Sequence, residues 1–380
     1  MTGGEESDEA AVRSRVAQAR TMVVKVGSSS LTDPHGHLDL DRLRSLVGAL
    51  ASAAVNGARL VLVTSGAIAA GFGTLGFDQR PDDVATQQAT ASVGQGLLMA
   101  QYETAFARYG LRVGQILITA RDTTHAVQYR NARRTLCRLL DLGVIPIVNE
   151  NDALASNEIR FGDNDHLSAL IANIVSADAL VLLTDVDALY TEPPSRPSAR
   201  RISFVPDVAA IMDQVDAQGS VSGLGTGGMS TKLEAARIAA ASGMPVVLTR
   251  ADLAGPALAG DSVGTLFAPI RPRGSSHRLW IKFASRPRGG YLVDQGAVEA
   301  LRGGRASLLA AGARSVQGEF SAGDPVWIHD ESGRQVAKGL SGYDSEEAQD
   351  MLGLNTKELR RRLGAHYAHP LVHRDSLVLV

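Results

Sequence analysis

The stretch SVSGLGTGGMSTK at residues 220–232 runs directly into LEAARIAAASG, a sequence that favours a helix. Four of its residues are glycines, and Gly219 precedes it. Glycines let backbone N–H groups approach a ligand closely, and the N-terminus of a helix favours an anion. Lys232, in the first helical turn, can add a full positive charge. The stretch therefore predicts a phosphate-binding loop that opens a helix, and a flexible glycine loop with a plain helix cap is the alternative.

Two common phosphate-binding motifs do not match this stretch. A Walker A loop ends in a lysine followed by serine or threonine, whereas Leu233 follows Lys232. A dinucleotide-binding fingerprint follows directly on a strand, and no clear strand ends before these glycines. The glycine-rich loop therefore belongs to neither motif.

Apolar, β-branched runs alternate with longer helical patterns along the chain. The predicted strands are 21–26, 59–63, 112–118, 144–148, 179–183 and 245–248. The predicted helices are 39–56, 83–109, 124–142, 164–176 and 229–242. Near-continuous hydrophobic strands separated by helices predict an α/β fold, a three-layer sandwich with a mainly parallel sheet. Ligands of such sheets bind at the carboxyl ends of the strands, and polar clusters follow four of the predicted strands there.

The chain has 380 residues, which is enough for two domains. A linker rich in proline, glycine, serine and arginine lies near 271–278, and the short runs and frequent turns beyond it predict a small, mostly β module. We expect a flexible N-terminal extension over 1–20, a first domain over 21–278, and a second domain over 288–366 with a tail to residue 380.

Composition excludes several classes of function. The formal net charge of −2 offers no basic field for nucleic acid or an anionic membrane. Residues 286–380 carry twelve basic and twelve acidic side chains, which argues against RNA binding, and the run Arg360 to Arg362 is typical of a solvated helix face. Residues 1–20 lack the apolar core of a signal peptide, and no segment approaches a membrane-spanning length. The single Cys137 excludes an internal disulfide and suits a cytoplasmic protein.

Two of the polar clusters lie after the first two strands. Lys25 lies within an apolar strand and is followed by Gly27, and a buried lysine is costly unless it meets an anion. The alternative is an edge-strand lysine with its ammonium in water. Ser65, at a strand-to-helix turn, can offer its hydroxyl and nearby N–H groups to a carboxylate, or it can simply cap the helix.

Two further clusters are acidic. Asp152 ends the tetrad NEND directly after the apolar run VIPIV, where a ligand site or an ordinary turn would both fit. Asp163 and Asp165 open the helix HLSALIANIV and could serve as its cap and as a partner of its dipole. Alternatively, one of these carboxylates holds two lysines in place, and the other faces a substrate ammonium or a metal.

The combined residues favour phosphoryl transfer, because they include lysines, a glycine-rich loop and aspartates but no evident nucleophile or general base. Phosphoryl transfer depends mainly on positioning and charge stabilisation. A carboxylate acceptor is already ionised at neutral pH and needs no base. Lys25 and Lys232 could neutralise the transferring group, and Mg²⁺ could arrive with the nucleotide.

Several motifs match a known family in order along residues 21–249. They are VVKVGSS, VTSGAIAAG, IVNENDA, GDNDHLSA, LLTDVDALYT and SGLGTGGMSTK, followed near the C-terminus by SVGTLF, VDQGA, SGRQVAKGLSGY and VHRD. On these residues the chain closely resembles the glutamate 5-kinase group of the amino acid kinase family. The second domain resembles a PUA domain, which this group often carries.

The resemblance implies ATP-dependent phosphorylation of the L-glutamate side-chain carboxylate to γ-glutamyl phosphate, the first step of proline biosynthesis. It implies that Lys25 and Lys232 contact the transferring phosphoryl group, that Asp163 organises these lysines and that Asp165 lies close to glutamate. The implied glutamate-binding residues are Ser65, Asp152 and Asn164. The implied nucleotide-binding residues are Thr184, Asp185, Thr226, Gly227, Gly228, Met229, Ser230, Thr231 and Lys232.

The resemblance also implies feedback inhibition by proline, a homo-oligomer and functional coupling to a γ-glutamyl phosphate reductase. Three alternatives stay open. One is a kinase of the same fold that acts on another carboxylate, on carbamate or on uridylate. Another is an RNA-binding protein that uses the PUA-like domain. The third is a regulatory or scaffold role for the C-terminal module, such as tuning oligomerisation or inhibition. Asp152 favours free glutamate, because its carboxylate could pair with an α-ammonium group that an N-acetylated substrate lacks.

Overall fold

The computed structural model describes the greater part of the chain. The described residues are 3–77, 81–119, 122–123, 126–153, 164–192, 194–217, 228–270, 276–283, 285, 287–304 and 306–380. The chain divides into two compact units. The first comprises residues 1–122 and 131–273, and the second comprises residues 123–130 and 274–380.

The elements before residue 270 contain the predicted alternation of strands and helices. The helices are α1 Gly3–Ala17, α2 Leu40–Val55, α3 Ala67–Phe72, α4 Val84–Ala107, α5 Ala126–Asp141, α6 Asn164–Ile174, α7 Val208–Ala217, α8 Gly228–Ala241 and α9 Ala254–Ala259. The strands are β1 Thr21–Val26, β2 Arg59–Val63, β3 Arg112–Ile118, β4 Val144–Glu150, β5 Ala179–Thr184, β6 Leu189–Tyr190, β7 Arg201–Ile202, β8 Phe204–Val205, β9 Val246–Arg250 and β10 Thr265–Phe267. Each predicted strand and helix is present, with ends that differ by a residue or two.

The main sheet has eight strands in the order β3-β4-β2-β1-β5-β9-β10-β8. Its pairs are parallel except for β9 with β10, which run antiparallel. On one face α1, α2, α4 and α9 pack with the strands into one hydrophobic core. On the other face α6 contacts β1 and β5, and α8 contacts β9. The predicted three-layer α/β sandwich is confirmed.

The N-terminal extension differs from its prediction, because it forms α1 and packs on the first unit. Val16 is fully buried. Arg13 donates to the carbonyl oxygens of Asp261 and Val263, at 2.7 and 3.1 Å, and its guanidinium pairs with Glu9 at 2.8 Å. The acidic composition of residues 1–20 suggested a flexible tail. The contacts of Arg13 with Asp261 and Val263 join residues about 250 positions apart, so no pattern within residues 1–20 predicts them.

The second unit contains a five-stranded sheet of order β12-β11-β13-β14-β15. Its strands are β11 Gly289–Val293, β12 Ala313–Gly318, β13 Pro325–His329, β14 Gln335–Ser341 and β15 Val372–Leu379, and its helices are α10 Ser276–Phe283, α11 Gln295–Arg302, α12 Ser345–Met351 and α13 Thr356–Arg362. A separate hydrophobic core fills this unit. The prediction of a small, mostly β C-terminal module is confirmed.

Residues 123–130 belong to the second unit although they precede it by far in the chain. The indole N–H of Trp280 donates to the carbonyl oxygen of Thr123 at 2.5 Å, and the ring of Tyr129 lies 5.3 Å from that of Trp280. Trp280 is fully buried. A buried indole N–H needs such an acceptor, so this contact binds the segment to α10.

Candidate active site

The carboxylate of Asp165 contacts two lysine ammonium groups. Lys25 Nζ lies 2.5 Å from Asp165 Oδ1, and Lys232 Nζ lies 3.0 Å from Asp165 Oδ2. The exposed fractions are 2% for Lys25, 0% for Asp165 and 8% for Lys232. Buried charges persist only when they are paired, so the three side chains form one unit with one positive charge in excess.

The strand and helix geometry explains how Lys25 reaches this carboxylate. Its neighbours Val24 and Val26 belong to the core on the face of α2 and α4. Because successive side chains of a strand point to opposite faces, Lys25 points to the face where α6 packs. Asp165 lies in the first turn of α6, so its carboxylate meets the lysine at the carboxyl end of β1.

The start of α8 positions the second lysine. Lys232 Nζ donates to the carbonyl oxygen of Gly228, and Thr231 Oγ1 donates to the same carbonyl, both at 3.0 Å. Thr231 also lies 3.1 Å from Asp165 Oδ2. The first turn of α8 therefore holds the ammonium group of Lys232 close to the helix N-terminus, where an anion is favoured.

Asp165 makes the contacts with both lysines that the resemblance implied for Asp163. We expected Asp163 to organise the lysines and Asp165 to lie near glutamate, but the described carboxylate between Lys25 and Lys232 is that of Asp165. Asp163 lies outside the described residues. Two carboxylates separated by one residue carry the same signal in the sequence, so the sequence could not tell which of them contacts the lysines.

A cleft of about 480 Å³ lies beside the lysine pair. Its lining includes the predicted glutamate-binding residues Ser65, Asp152 and Asn164. Asn164 directly precedes Asp165 in α6, so one helical turn contributes both to the cleft and to the lysine pair. The structure therefore brings together these three predicted residues and the two lysines that the sequence singled out.

A chain of hydrogen bonds between side-chain amides borders this cleft. Asn164 Nδ2 lies 2.7 Å from the carbonyl oxygen of Thr64 and 2.9 Å from both Ser65 Oγ and Asn149 Oδ1, so its two hydrogens are shared among three acceptors. Asn149 Nδ2 in turn donates to Gln95 Oε1 at 2.8 Å. Among the described residues, Asn164 Oδ1 and Gln95 Nε2 have no hydrogen-bond partner although both atoms are buried. This chain of hydrogen bonds therefore ends in an acceptor, Asn164 Oδ1, and in a donor, Gln95 Nε2.

Two glycines let α3 and α4 approach closely and set the turn that carries Ser65. A Cβ atom on Gly94 would lie 1.8 Å from the carbonyl oxygen of Ala67, and one on Gly71 would lie 2.2 Å from that of Thr90. Gly66, between Ser65 and α3, adopts φ of 103°, in the left-handed region that favours glycine. The small residues of TSGAIAAG therefore serve packing as well as ligand access.

Buried hydroxyl groups support the same turn. Thr64 Oγ1 lies 2.7 Å from the hydroxyl oxygen of Tyr102, and both residues are fully buried. Burial raises the pKa of Tyr102 above its ordinary value. The phenol therefore stays neutral and supports the turn, and it does not serve as a base.

The predicted nucleotide-binding residues fall into three groups. Thr184 and Asp185 line a separate cavity of about 380 Å³, together with Arg42 and Arg250. The described residues Gly228, Met229, Ser230, Thr231 and Lys232 form the first turns of α8. Thr226 and Gly227 lie outside the described residues. The structure thus places the described members at the carboxyl end of β5 and at the start of α8.

The sequence analysis missed two residues that form hydrogen bonds behind the cleft. Gln95 and Tyr102 carried no signal of a role, because a single polar residue in an apolar helix is also typical of a solvated position. Asn149 stood within a tetrad singled out as a ligand site, but its bond to Gln95 depends on the packing of α4 against β4. A buried polar chain of this kind is visible only in three dimensions.

Comparison with known proteins is consistent across the chain. The model of the amino acid kinase family matches residues 20–250, and that of the PUA domain matches residues 290–363. A glutamate 5-kinase of Bifidobacterium animalis subsp. lactis (strain AD011) is 70% identical over 97% of this chain and 98% of the relative. The chain belongs to the amino acid kinase family. A glutamate 5-kinase of Streptomyces avermitilis is 53% identical over 97% of this chain and 99% of the relative.

A solved structure of the amino acid kinase fold supports the assignment of the architecture. The carbamate kinase from Giardia lamblia bound to AMP-PNP matches with a TM-score of 0.51 and 16% identity, and the match covers 66% of this chain and 99% of that chain. At this identity the likeness concerns the fold alone. The predicted resemblance to glutamate 5-kinases with a C-terminal PUA domain is confirmed by the relatives and the family models.

Neither a metal cluster nor a membrane span is found in the part of the chain that the structure describes. There, no group of three or more histidine, cysteine, aspartate or glutamate side chains could hold a metal ion. Equally, no described helix is both long and apolar enough to cross a membrane.

Proposed function

We propose that this chain transfers the γ-phosphoryl group of ATP to the side-chain carboxylate of L-glutamate, as the first step of proline biosynthesis. The observation that carries this proposal is the Asp165 carboxylate, which holds Lys25 and Lys232 together beside a polar cleft. Relatives between 53% and 70% identical over nearly the whole chain carry the name glutamate 5-kinase.

The reaction requires positioning and charge neutralisation more than acid or base catalysis. A carboxylate oxygen of glutamate attacks the γ-phosphorus, the bond from that phosphorus to the β,γ-bridging oxygen breaks, and ADP leaves with the electron pair. The attacking carboxylate is ionised at neutral pH, so no base is needed. Lys25 and Lys232 stabilise the negative charge that both reactants bring, and Asp165 keeps the two ammonium groups from separating.

The cleft supplies groups for the two ends of glutamate. Asp152 offers a carboxylate to the α-ammonium group, and Ser65 with the turn before α3 offers a hydroxyl to a carboxylate. Asn164 offers an amide oxygen that has no partner among the described residues. We propose these three as glutamate-binding residues, and a part of Asp163 in organising the lysines beside Asp165 rests on the family resemblance alone.

ATP is the phosphoryl donor in this proposal, and Mg²⁺ is proposed to enter with it. The carboxylate nearest the lysines, that of Asp165, is already engaged by both ammonium groups. Mg²⁺ commonly binds through substrate phosphates with few protein ligands, which fits this donor set. Thr184, Asp185 and the first turn of α8 are proposed to contact the nucleotide, with Thr226 and Gly227 assigned on the resemblance alone.

Three further properties are proposed for the whole protein. Proline carries the same α-carboxylate as glutamate and a charged amine, so the cleft could admit it as a feedback inhibitor. The strand β3 ends the eight-stranded sheet, and Leu117 on it is 38% exposed, which supports a homo-oligomer. An acyl phosphate is reactive toward water, which supports coupling to a γ-glutamyl phosphate reductase.

An acceptor panel tests the proposed function. ADP release is measured with ATP-Mg²⁺ and, in turn, L-glutamate, L-aspartate, N-acetylglutamate, carbamate and UMP. We expect turnover with L-glutamate and little with the others. Turnover with N-acetylglutamate but none with L-glutamate would contradict the proposal, because Asp152 would then have no ammonium group to pair with.

A further inference from the structure

Two backbone groups identify which atom of each amide is the donor and which is the acceptor. Asn164 lies 2.7 Å from the carbonyl oxygen of Thr64, which can only accept, so the facing atom of Asn164 is Nδ2. The backbone N–H of Glu150 can only donate, and it lies 2.9 Å from Asn149. The facing atom of Asn149 is therefore Oδ1, which also accepts from Asn164 Nδ2.

These assignments fix the remaining atoms of the chain. Because Asn149 Oδ1 serves Asn164 and Glu150, Asn149 Nδ2 faces Gln95, and the facing atom of Gln95 must be the acceptor Oε1. Gln95 is 9% exposed and Asn149 is 1% exposed, so water competes little for these groups. Each hydrogen bond in this chain is therefore donated in the same direction, from Asn164 to Asn149 and from Asn149 to Gln95.

The chain leaves Asn164 Oδ1 as a buried acceptor that lacks a hydrogen-bond partner within the described residues. A group in this state is satisfied when a ligand supplies a donor. Asn164 lines the cleft. Of the charged groups of glutamate, the two carboxylates only accept hydrogen bonds, and the α-ammonium group is the one that donates.

We propose that Gln95 is a positioning residue for substrate binding: it orients Asn149, which orients Asn164, so that Asn164 Oδ1 accepts from the α-ammonium group of glutamate. This inference rests on the proposed function. Without an acceptor at position 95, the buried Asn149 Nδ2 has lost its hydrogen-bond partner. We expect the Asn149 side chain to shift toward another acceptor, which weakens its contact with Asn164 Nδ2 and loosens the position of Asn164. Gln95 acts through the two asparagines and does not touch the reacting atoms.

The Gln95→Met variant tests this inference, because it removes the acceptor while keeping a side chain of similar length. Gln101→Met is the matched control, since Gln101 is a half-buried residue of the same helix and is not among the described residues that line the cleft. Steady-state rates give KM for glutamate, KM for ATP and kcat. The inhibition constant of glutarate, which lacks the α-ammonium group, is measured against glutamate for each protein.

For Gln95→Met we expect KM for glutamate to rise about tenfold, which is about 1.4 kcal/mol. KM for ATP, kcat and the glutarate inhibition constant should each stay within about twofold of the wild-type values. An unchanged KM for glutamate, or a parallel loss of glutarate binding, would overturn the inference. Gln101→Met should leave all of these constants unchanged.

Two additions keep the result interpretable. Gln95→Ala makes the same removal without placing a new methyl group in the core, so it replaces Gln95→Met if that variant does not fold by circular dichroism. Gln95→Glu retains acceptor oxygens at the position and should restore a KM for glutamate close to the wild-type value. If the wild-type protein does not phosphorylate glutamate at all, the proposed function fails rather than the role of Gln95.

Discussion

At the scale of single residues, Asp165 links the fold to the chemistry. Its position in the first turn of α6 faces the carboxyl end of β1, and its two oxygens each hold one ammonium group. One carboxylate that pairs with two lysines leaves a net positive charge where phosphate must bind. A buried lysine without this partner would be costly, which explains why an apolar strand tolerates Lys25.

Asp165→Asn should lower kcat about a hundredfold or more, because the two ammonium groups lose the carboxylate that positions them. It should also destabilise the ligand-free protein by about 3 kcal/mol, since two buried positive charges lose their partner. ADP release and thermal unfolding measure the two effects. Asp41→Asn, at an exposed ion pair with Arg44, is the control and should change neither. Wild-type kcat in Asp165→Asn would contradict the positioning role.

At the scale of elements, the sequence predicted the strands and helices well because each pattern is local. Continuous apolar runs such as 179–183 and the glycine-rich stretch before α8 carry their own signals. The sequence did not predict α1 packing, the Asp165 role or the Gln95 chain. Each depends on a contact between distant parts of the chain, and hydrophobic periodicity contains no information on which polar atoms will meet.

Two glycines of α4, Gly94 and Gly96, differ in how closely α3 packs against them, so their alanine variants can be compared. Gly94→Ala should destabilise the protein by about 2 to 4 kcal/mol and raise KM for glutamate, because its Cβ would lie 1.8 Å from the Ala67 carbonyl oxygen and displace the turn at Ser65. Gly96→Ala, with no atom within 4 Å of its Cβ, should instead stabilise by about 0.5 to 1 kcal/mol.

Chemical denaturation and glutamate saturation curves measure both glycine variants. Equal stability of Gly94→Ala and Gly96→Ala would show that the two helices are not in the close contact described here.

At the scale of the whole molecule, each unit has its own core, and the second unit contains a buried charge of its own. Lys338 on β14 is 6% exposed. Its ammonium donates to the carbonyl oxygen of Ser285 and lies 5.4 Å from the ring centroid of Trp327. Burial lowers the pKa of Lys338 to about 8. Carbonyl oxygens and an aromatic ring hold this lysine without compensating fully for its lost hydration.

The lowered pKa of Lys338 predicts how stability depends on pH. Below pH 8 the lysine is charged in the folded and the unfolded protein, and the folded state carries the burial penalty. Between pH 8 and the ordinary value of 10.5 the unfolded state binds more protons, so this contribution to the free energy of unfolding rises with pH. The slope is at most about 1.4 kcal/mol per pH unit.

Lys338→Met should remove this slope, so the stability of wild type relative to the variant should rise from pH 8 to pH 10. Urea unfolding, followed by a signal from the second unit, measures the difference. Lys357→Met, at an exposed position, is the control. A difference between wild type and Lys338→Met that stays constant over this pH range would show that the lysine keeps its ordinary pKa.

The most direct test of the central claim is chemical trapping of the product. The wild-type protein and Lys232→Met are incubated with ATP-Mg²⁺, L-glutamate and hydroxylamine, and γ-glutamyl hydroxamate is quantified beside ADP. We predict equal amounts of hydroxamate and ADP from the wild-type protein and almost none from Lys232→Met, with circular dichroism used to check that the variant is folded. Absence of hydroxamate with the wild-type protein, or an undiminished yield with Lys232→Met, would contradict phosphoryl transfer by the paired lysines.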